Sequence, residues 1–206
     1  MIVVVAGATG EAGRELSGLL TERGDTVIAL GTDEGRLTDV VAAEHRVVDL
    51  TDAAAAEALA ADIVAQHGRV DALLHLVGGW KPGDTPEADA WLRPRLVTTL
   101  DSAIRAFMPA LAESAGRLVL VSSTAVVPGE EPNSSYARAK AAAERLVLGS
   151  AAPVLAASGG AATVVAIRSI GEGGISAAEL AATLAGVLTA PTSEVAGARL
   201  IPTPTP

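Results

Sequence analysis

Short apolar runs punctuate this chain, each of strand length and each closed by glycine or polar residues. MIVVVA (1–6), TVIAL (26–30), DALLHLV (71–77), RLVLV (117–121) and Thr163 to Arg168 read as strands. HRVVDL (45–50) is a shorter one, ending at Asp49, and Ala198 to Ile201 a short last one. The first of these is apolar throughout rather than alternating, the pattern of a parallel strand with helices on both faces. Between the strands lie stretches with helical character: 14–23, 52–67 with Thr51 or Asp52 as N-cap, about 88–113 with Pro94 and Pro109 as points of disturbance, a helix carrying Tyr136 and Lys140, and 176–189. Trp80, Lys81, Pro82, Gly83 and Pro86 make 80–90 a loop. Six to seven strands alternating with helices predict an α/β fold, one doubly wound parallel sheet flanked by helices. With no internal repeat and no linker, 1–206 is expected to be a single domain, and Pro202 to Pro206 a loose tail.

Composition narrows the picture. Half the residues are apolar but only four are Phe, Tyr or Trp, so the core must be aliphatic. A net charge of −9 argues against nucleic acid or an anionic membrane as partner. Cysteine is absent and there are three histidines, so disulfides and thiolate metal sites are excluded and no metal site is expected. The N-terminus enters a strand without a basic n-region or cleavage site, and no apolar run approaches the ~20 residues that span a bilayer. The expectation is a soluble cytoplasmic protein.

Chemistry enters with the glycines. Gly7, Gly10 and Gly13 follow the first strand at once and lead into the first helix. A strand, a glycine turn and a helix are the context of a Rossmann-type dinucleotide fingerprint. Gly7 permits the tight turn, Gly10 lets backbone approach a pyrophosphate, Gly13 allows close helix–strand packing, and the helix N-terminus offers free N–H groups. The competing reading is a merely structural turn. At the tip of the second strand, where an acid would bind ribose hydroxyls, stands Gly31, leaving room for a 2′-phosphate. Thr32 and Arg36 are placed to contact that phosphate, although Asp33 would equally serve a ribose. NADP is slightly preferred to NAD.

The fifth strand ends in Ser122-Ser123, and the next helix carries Tyr136 and Lys140, four residues apart and on one face. With one tyrosine and two lysines in the chain, chance gives that spacing roughly once in a hundred sequences. A phenol is too weak an acid to exchange protons easily at neutral pH, and a nearby ammonium lowers its pKa. Tyr136 is therefore the candidate acid/base and Lys140 its activator, against the alternative of a surface pair. His75, in an apolar strand, is more often core than ligand. His45 and His67 read as strand-end and helix-end residues. Asp49 is either a site residue or a turn residue, Trp80 either lines a mouth or covers it, and Glu130-Glu131 is a solvated loop.

On these residues the chain resembles the short-chain dehydrogenase/reductase family over nearly its whole length. Residues 7–13 match its cofactor loop, which implies contacts from Gly7, Thr9, Gly10, Glu11, Ala12 and Gly13. Asp49-Leu50 match its adenine-contact pair, and LLHLVGG (73–79) stands at its Asn-Asn-Ala-Gly stretch, implying Val77, Gly78 and Gly79. Tyr136 and Lys140 are its Tyr-x-x-x-Lys motif, with Ser123 at the catalytic serine's usual offset of thirteen residues. By resemblance Ser123 holds the substrate oxygen, Lys140 contacts the nicotinamide ribose, Tyr136 shares in cofactor binding, and Ile170 meets the carboxamide through its backbone. The 7/10/13 spacing and VDALLHLVGGW (70–80) look more like the dihydropteridine reductase branch.

Three departures stand out. No asparagine occupies the long helix near Arg95 or Leu96. Arg168-Ser169-Ile170-Gly171 replaces the usual Pro-Gly segment, and Gly171 to Ile175 leaves almost no substrate-covering loop. The resemblance implies an NAD(P)(H)-dependent oxidoreductase acting on a carbonyl, an alcohol or a C=N bond such as a dihydropterin. The alternatives are a dinucleotide-binding regulator or scaffold with little turnover and, last, a sugar-nucleotide epimerase, for which the chain is short. In relatives the long helix and the Tyr136 helix form a subunit bundle, so a homodimer or homotetramer is expected, with Ala137, Ala141 and Ala142 on closely packing faces.

Overall fold

The computed structural model describes residues 1–203. Seven strands, β1 (Ile2–Ala6), β2 (Thr26–Gly31), β3 (Glu44–Val47), β4 (Ala72–His75), β5 (Arg117–Ser123), β6 (Ala161–Ile167) and β7 (Arg199–Leu200), form one sheet in the order β3-β2-β1-β4-β5-β6-β7. Every neighbouring pair is parallel. The expected doubly wound sheet is the observed one. The reversal of strand order falls between β1 and β4, where ligands sit in folds of this kind.

Successive strand residues point to opposite faces, and both faces of β1 are covered. Val3 and Val5 join Leu16 and Leu20 of α1 (Glu11–Glu22) and Leu180 and Leu184 of α8 (Ala177–Thr189). Val4 and Ala6 join Ile63 of α3 (Ala53–His67), Leu100 and Phe107 of α5 (Thr99–Glu113) and Leu155 of α7 (Ala152–Ala157). This is why the strand shows no polar alternation. Each of these fully buried side chains larger than alanine contributes about 1.5–3 kcal/mol, and Phe107 is the one phenylalanine in the chain.

The boundaries differ in informative ways. β3 stops at Val47 and β4 at His75, so Asp49 and Val77 lie in the turns beyond their strands. α1 begins at Glu11 rather than Arg14. The long helix arrives as α4 (Pro86–Arg93), a π-helical turn (Pro94–Thr98) and α5. Pro94 has no N–H to give, and the ladder widens there, whereas Pro109 lies inside α5 without ending it. The helix α6 (Ser135–Glu144) continues through a second π turn (Arg145–Ala151) into α7. Two single-turn helices, α2 (Glu34–Leu37) and α9 (Thr192–Val195), were not expected from periodicity, being too short to show any. Ala137 and Ala141, expected on an intersubunit face, are buried within the chain itself. The last three residues of the expected Pro-rich tail lie outside the described residues. Among the described residues, no helix is long and apolar enough to cross a membrane.

Candidate active site

The glycine loop is shaped by two hard constraints and one open position. Gly7 adopts φ +83°, and a Cβ there would lie 2.8 Å from the Val77 nitrogen. A Cβ on Gly13 would lie 2.4 Å from the Gly7 carbonyl oxygen. The fold itself therefore demands glycine at both. Gly10 has φ −74° and ψ 165°, which suit any residue, and its Cβ would meet nothing nearer than 3.4 Å. Gly10 also begins α1 with no side-chain cap. By contrast α3, α4, α6 and α8 are capped by Asp52, Thr85, Ser134 and Ser176. The first N–H groups of α1 are thus left for an anion.

A cavity of about 630 Å³ opens at this loop. Of the residues read from the sequence, Gly7, Thr9, Gly10, Thr32, Arg36, Asp49, Leu50, Val77 and Gly78 line it. Glu11, Ala12, Gly13, Gly79, Ser123, Tyr136, Lys140 and Ile170 are not on its wall. Gly79 instead backs onto Trp91, where a Cβ would stand 2.9 Å from the ring. Pro94, Arg95 and Thr99 also line it and were missed. The proline that opens the π turn was the signal for them. Arg95 stacks over Trp91 at 4.1 Å, while Leu96 is buried.

Beyond β2, Asp33 caps α2, its carboxylate accepting from the Arg36 N–H at 3.0 Å. The Arg36 guanidinium donates to the Thr9 carbonyl at 3.1 Å, and Arg14 donates to the same oxygen at 2.7 Å. Two cations thus meet beside the glycine loop, and Arg14 had gone unread although it directly follows Gly13. Asp49 is both turn residue and cavity wall. Its carboxylate accepts from the Thr51 N–H at 2.8 Å and the Thr51 hydroxyl at 2.7 Å, which hold it below the usual carboxylate range.

Ser123 is buried at the end of β5, its oxygen accepting from the Ala125 N–H at 3.1 Å. Tyr136 is half-buried in the first turn of α6. Lys140, buried one turn later, donates from Nζ to the Val121 carbonyl at 2.9 Å and lies 6.0 Å from the Tyr136 ring centre. Burial raises the Tyr136 pKa, and the neighbouring Ser123 hydroxyl pulls it the other way. Burial pushes the Lys140 ammonium down to about 8, opposed by the charge of Glu144. The expected lowering of the phenol pKa is not what this arrangement gives, because desolvation of the phenol outweighs its hydrogen bond with Ser123.

His75 is a core residue, fully buried, with Nε2 3.1 Å from the Thr99 hydroxyl oxygen and no partner for Nδ1. Burial, with Lys140 nearby, pushes its pKa down to about 3, so the ring is neutral. His45 binds the Val40 carbonyl and His67 pairs with Glu44, both structural ties. Trp80 and Ile170 are exposed.

The short chain dehydrogenase family matches residues 1–184. A 3beta-hydroxysteroid dehydrogenase of Mediterraneibacter gnavus is 30% identical over 159 residues, 70% of this chain and 57% of that protein. The chain thus spans little more than half of that relative's length. A metagenomic short-chain oxidoreductase solved in complex with NADP is 25% identical, with a TM-score of 0.83 over 98% of this chain and 97% of the other. An NAD+-bound xylitol dehydrogenase, 19% identical, shares the fold with a TM-score of 0.81 over 97% and 96%.

Proposed function

The chain belongs to the short chain dehydrogenase family, and from that premise we propose that it is an NAD(P)(H)-dependent oxidoreductase. The substrate is a small molecule with a carbonyl or alcohol, or a related C=N bond. The observation that carries this reading is the placing of Ser123, Tyr136 and Lys140 at the carboxyl ends of β5 and the start of α6, on the sheet edge that also holds an uncapped α1. The cavity and its loop fit a dinucleotide. Gly7 to Gly13 would hold the diphosphate, Asp49 and Leu50 the adenosine end, and Val77 to Gly79 with Ile170 the nicotinamide end. Asp33 is occupied as a cap, which leaves Thr32, Arg36 and Arg14 to favour the 2′-phosphate of NADP over NAD.

The bound nicotinamide supplies or accepts the hydride. This chain's residues handle the rest. Ser123 holds the substrate oxygen by a hydrogen bond. Tyr136 moves the proton at its phenol oxygen, donating it in reduction and accepting it in oxidation. Lys140, at about 8, is mostly cationic at neutral pH and adds positive charge beneath the phenol.

Parallel fluorescence titrations with NADPH and NADH, followed by assay of Tyr136→Phe, test the reading. Turnover should fall at least a hundredfold while the cofactor Kd moves less than about twofold. Unchanged turnover removes Tyr136 as the acid. A folded protein that binds neither cofactor would sink the oxidoreductase reading. Association as a homodimer or homotetramer belongs to the same proposal. A groove between α4, the first π turn and α6, with Val97, Ala139 and Ala142 on its wall, is the surface offered, and sedimentation showing only monomer at micromolar concentration would count against it.

A further inference from the structure

One buried ion pair lies outside the parts assigned above. Arg199 on edge strand β7 and Glu144 at the end of α6 meet at 2.8 Å, with side chains only 13% and 8% exposed. Both also grip the end of β5. Glu144 Oε1 accepts from the Ser122 hydroxyl at 2.6 Å. Arg199 Nη2 donates to the carbonyls of Ser123 at 3.0 Å and Val126 at 2.8 Å. Those carbonyls bracket a turn in which the Val126 N–H donates to the Ser123 carbonyl and the Ala125 N–H to the Ser123 hydroxyl oxygen, both at 3.1 Å. A side chain 76 residues downstream therefore fastens the turn that aims the Ser123 hydroxyl.

Stability alone is a poor account of such a pair, because desolvation offsets its Coulombic gain and packed apolar residues often serve as well. Fixed geometry is what it supplies. Glu144 also follows Lys140 by one turn of α6 and opposes the loss of its proton. The groups facing Glu144 are Lys140 from α6, Ser122 from β5 and Arg199 from β7, while His75 of β4, near Lys140, is neutral.

We propose that Glu144 and Arg199 are positioning residues of the active centre, clamping the Ser123 turn and holding a counter-charge beside the Lys140 ammonium. The proposal rests on the roles given above to Ser123 and Lys140. Its test compares Glu144→Gln, Arg199→Met and the double variant. The chain has two lysines and one tyrosine, so lysine NMR titration reads Lys140 with Lys81 as internal reference, and ultraviolet titration reads Tyr136 alone. Glu144→Gln should lower the Lys140 pKa by about one unit and move the alkaline limb of kcat to lower pH by the same amount. Each single variant should lose about tenfold or more in kcat with KM for cofactor nearly constant, and the double should be no worse than the worse single. Arg199→Lys, which cannot reach all three acceptors, should rescue little. An unmoved Lys140 titration with unchanged kcat in folded variants overturns the proposal. Should a single variant fail to fold, the double, which strands neither member of the Glu144–Arg199 pair, carries the same measurements. Full turnover in Tyr136→Phe would sink the catalytic reading instead, and the lysine titration would still report on the pair.

Discussion

The two sides of the crevice are made of different material. On the β1–β3 side the site is main chain: a glycine loop, a helix start without a cap, and two arginines resting on one carbonyl. On the β4–β7 side it is buried side chain, with Ser122, Ser123, His75, Lys140 and Glu144 all nearly excluded from water. Backbone N–H groups at an open loop keep their hydration until a ligand replaces it. Polar side chains in a core have lost theirs already, and each needs a partner or a shifted pKa. The cost of function should therefore fall on one side of the molecule, and the two sides should answer substitution differently.

Lys140→Met makes the sharpest contrast. The native ammonium has its pKa lowered to about 8 from 10.5, so between those values the unfolded chain holds a proton the folded one has released. Wild-type stability then rises with pH through that window, and below about 8 the full cost of burying the charge is present. At 1.36 kcal/mol per unit that cost is about 3 kcal/mol, partly offset because methionine strands the Val121 carbonyl, at about 1–3 kcal/mol. The variant should lose at least a hundredfold in turnover yet be as stable as wild type or more so, by up to about 2 kcal/mol at pH 7. The gap should close as pH approaches 10.5. Urea unfolding at several pH values reads this directly, and a variant weaker than wild type at every pH would show that the lysine stabilises the fold.

The glycine side should break differently. Gly13→Ala drives a methyl to 2.4 Å from the Gly7 oxygen, so both stability, by about 1–3 kcal/mol, and cofactor binding should suffer. Gly10→Ala meets nothing closer than 3.4 Å in an ordinary conformation. Its stability should stay within about 1 kcal/mol while dinucleotide affinity falls about tenfold. Wild-type affinity in Gly10→Ala would mean that no phosphate approaches that backbone.

The same division explains what could be read from the chain. The strands and the loop were legible because apolar runs and glycine spacing are local. So was the placing of Ser123 at a strand end and of Tyr136 and Lys140 on the helix after it, all within eighteen residues. Illegible were partners joined only by folding: Arg199 with Glu144 at 55 residues' separation, His75 with Thr99 at 24, and Arg36 on Thr9 at 27. The direction of the Tyr136 shift was misjudged for a related reason. The motif places a cation near the phenol, but the burial that raises the phenol pKa is created only by folding and leaves no mark in the motif.

The smallest expected effect discriminates within the glycine side itself. Asp33 and Arg36 compete for the cofactor's ribose in sequence, but the structure turns the Asp33 carboxylate into the cap of α2, held by the Arg36 backbone N–H. The guanidinium stays beside Thr9, on the cavity wall. A charge-assisted contact to a 2′-phosphate is worth about 1.5–3 kcal/mol at most and less when open to solvent, so Arg36→Ala should weaken NADPH binding about five- to tenfold and leave NADH unchanged. Because Arg14 shares the same carbonyl, Arg14→Ala alone should act in the same direction, and the pair should be less than additive. Equal losses for NADPH and NADH would place both arginines on the diphosphate, and the preference for NADP would have to be withdrawn.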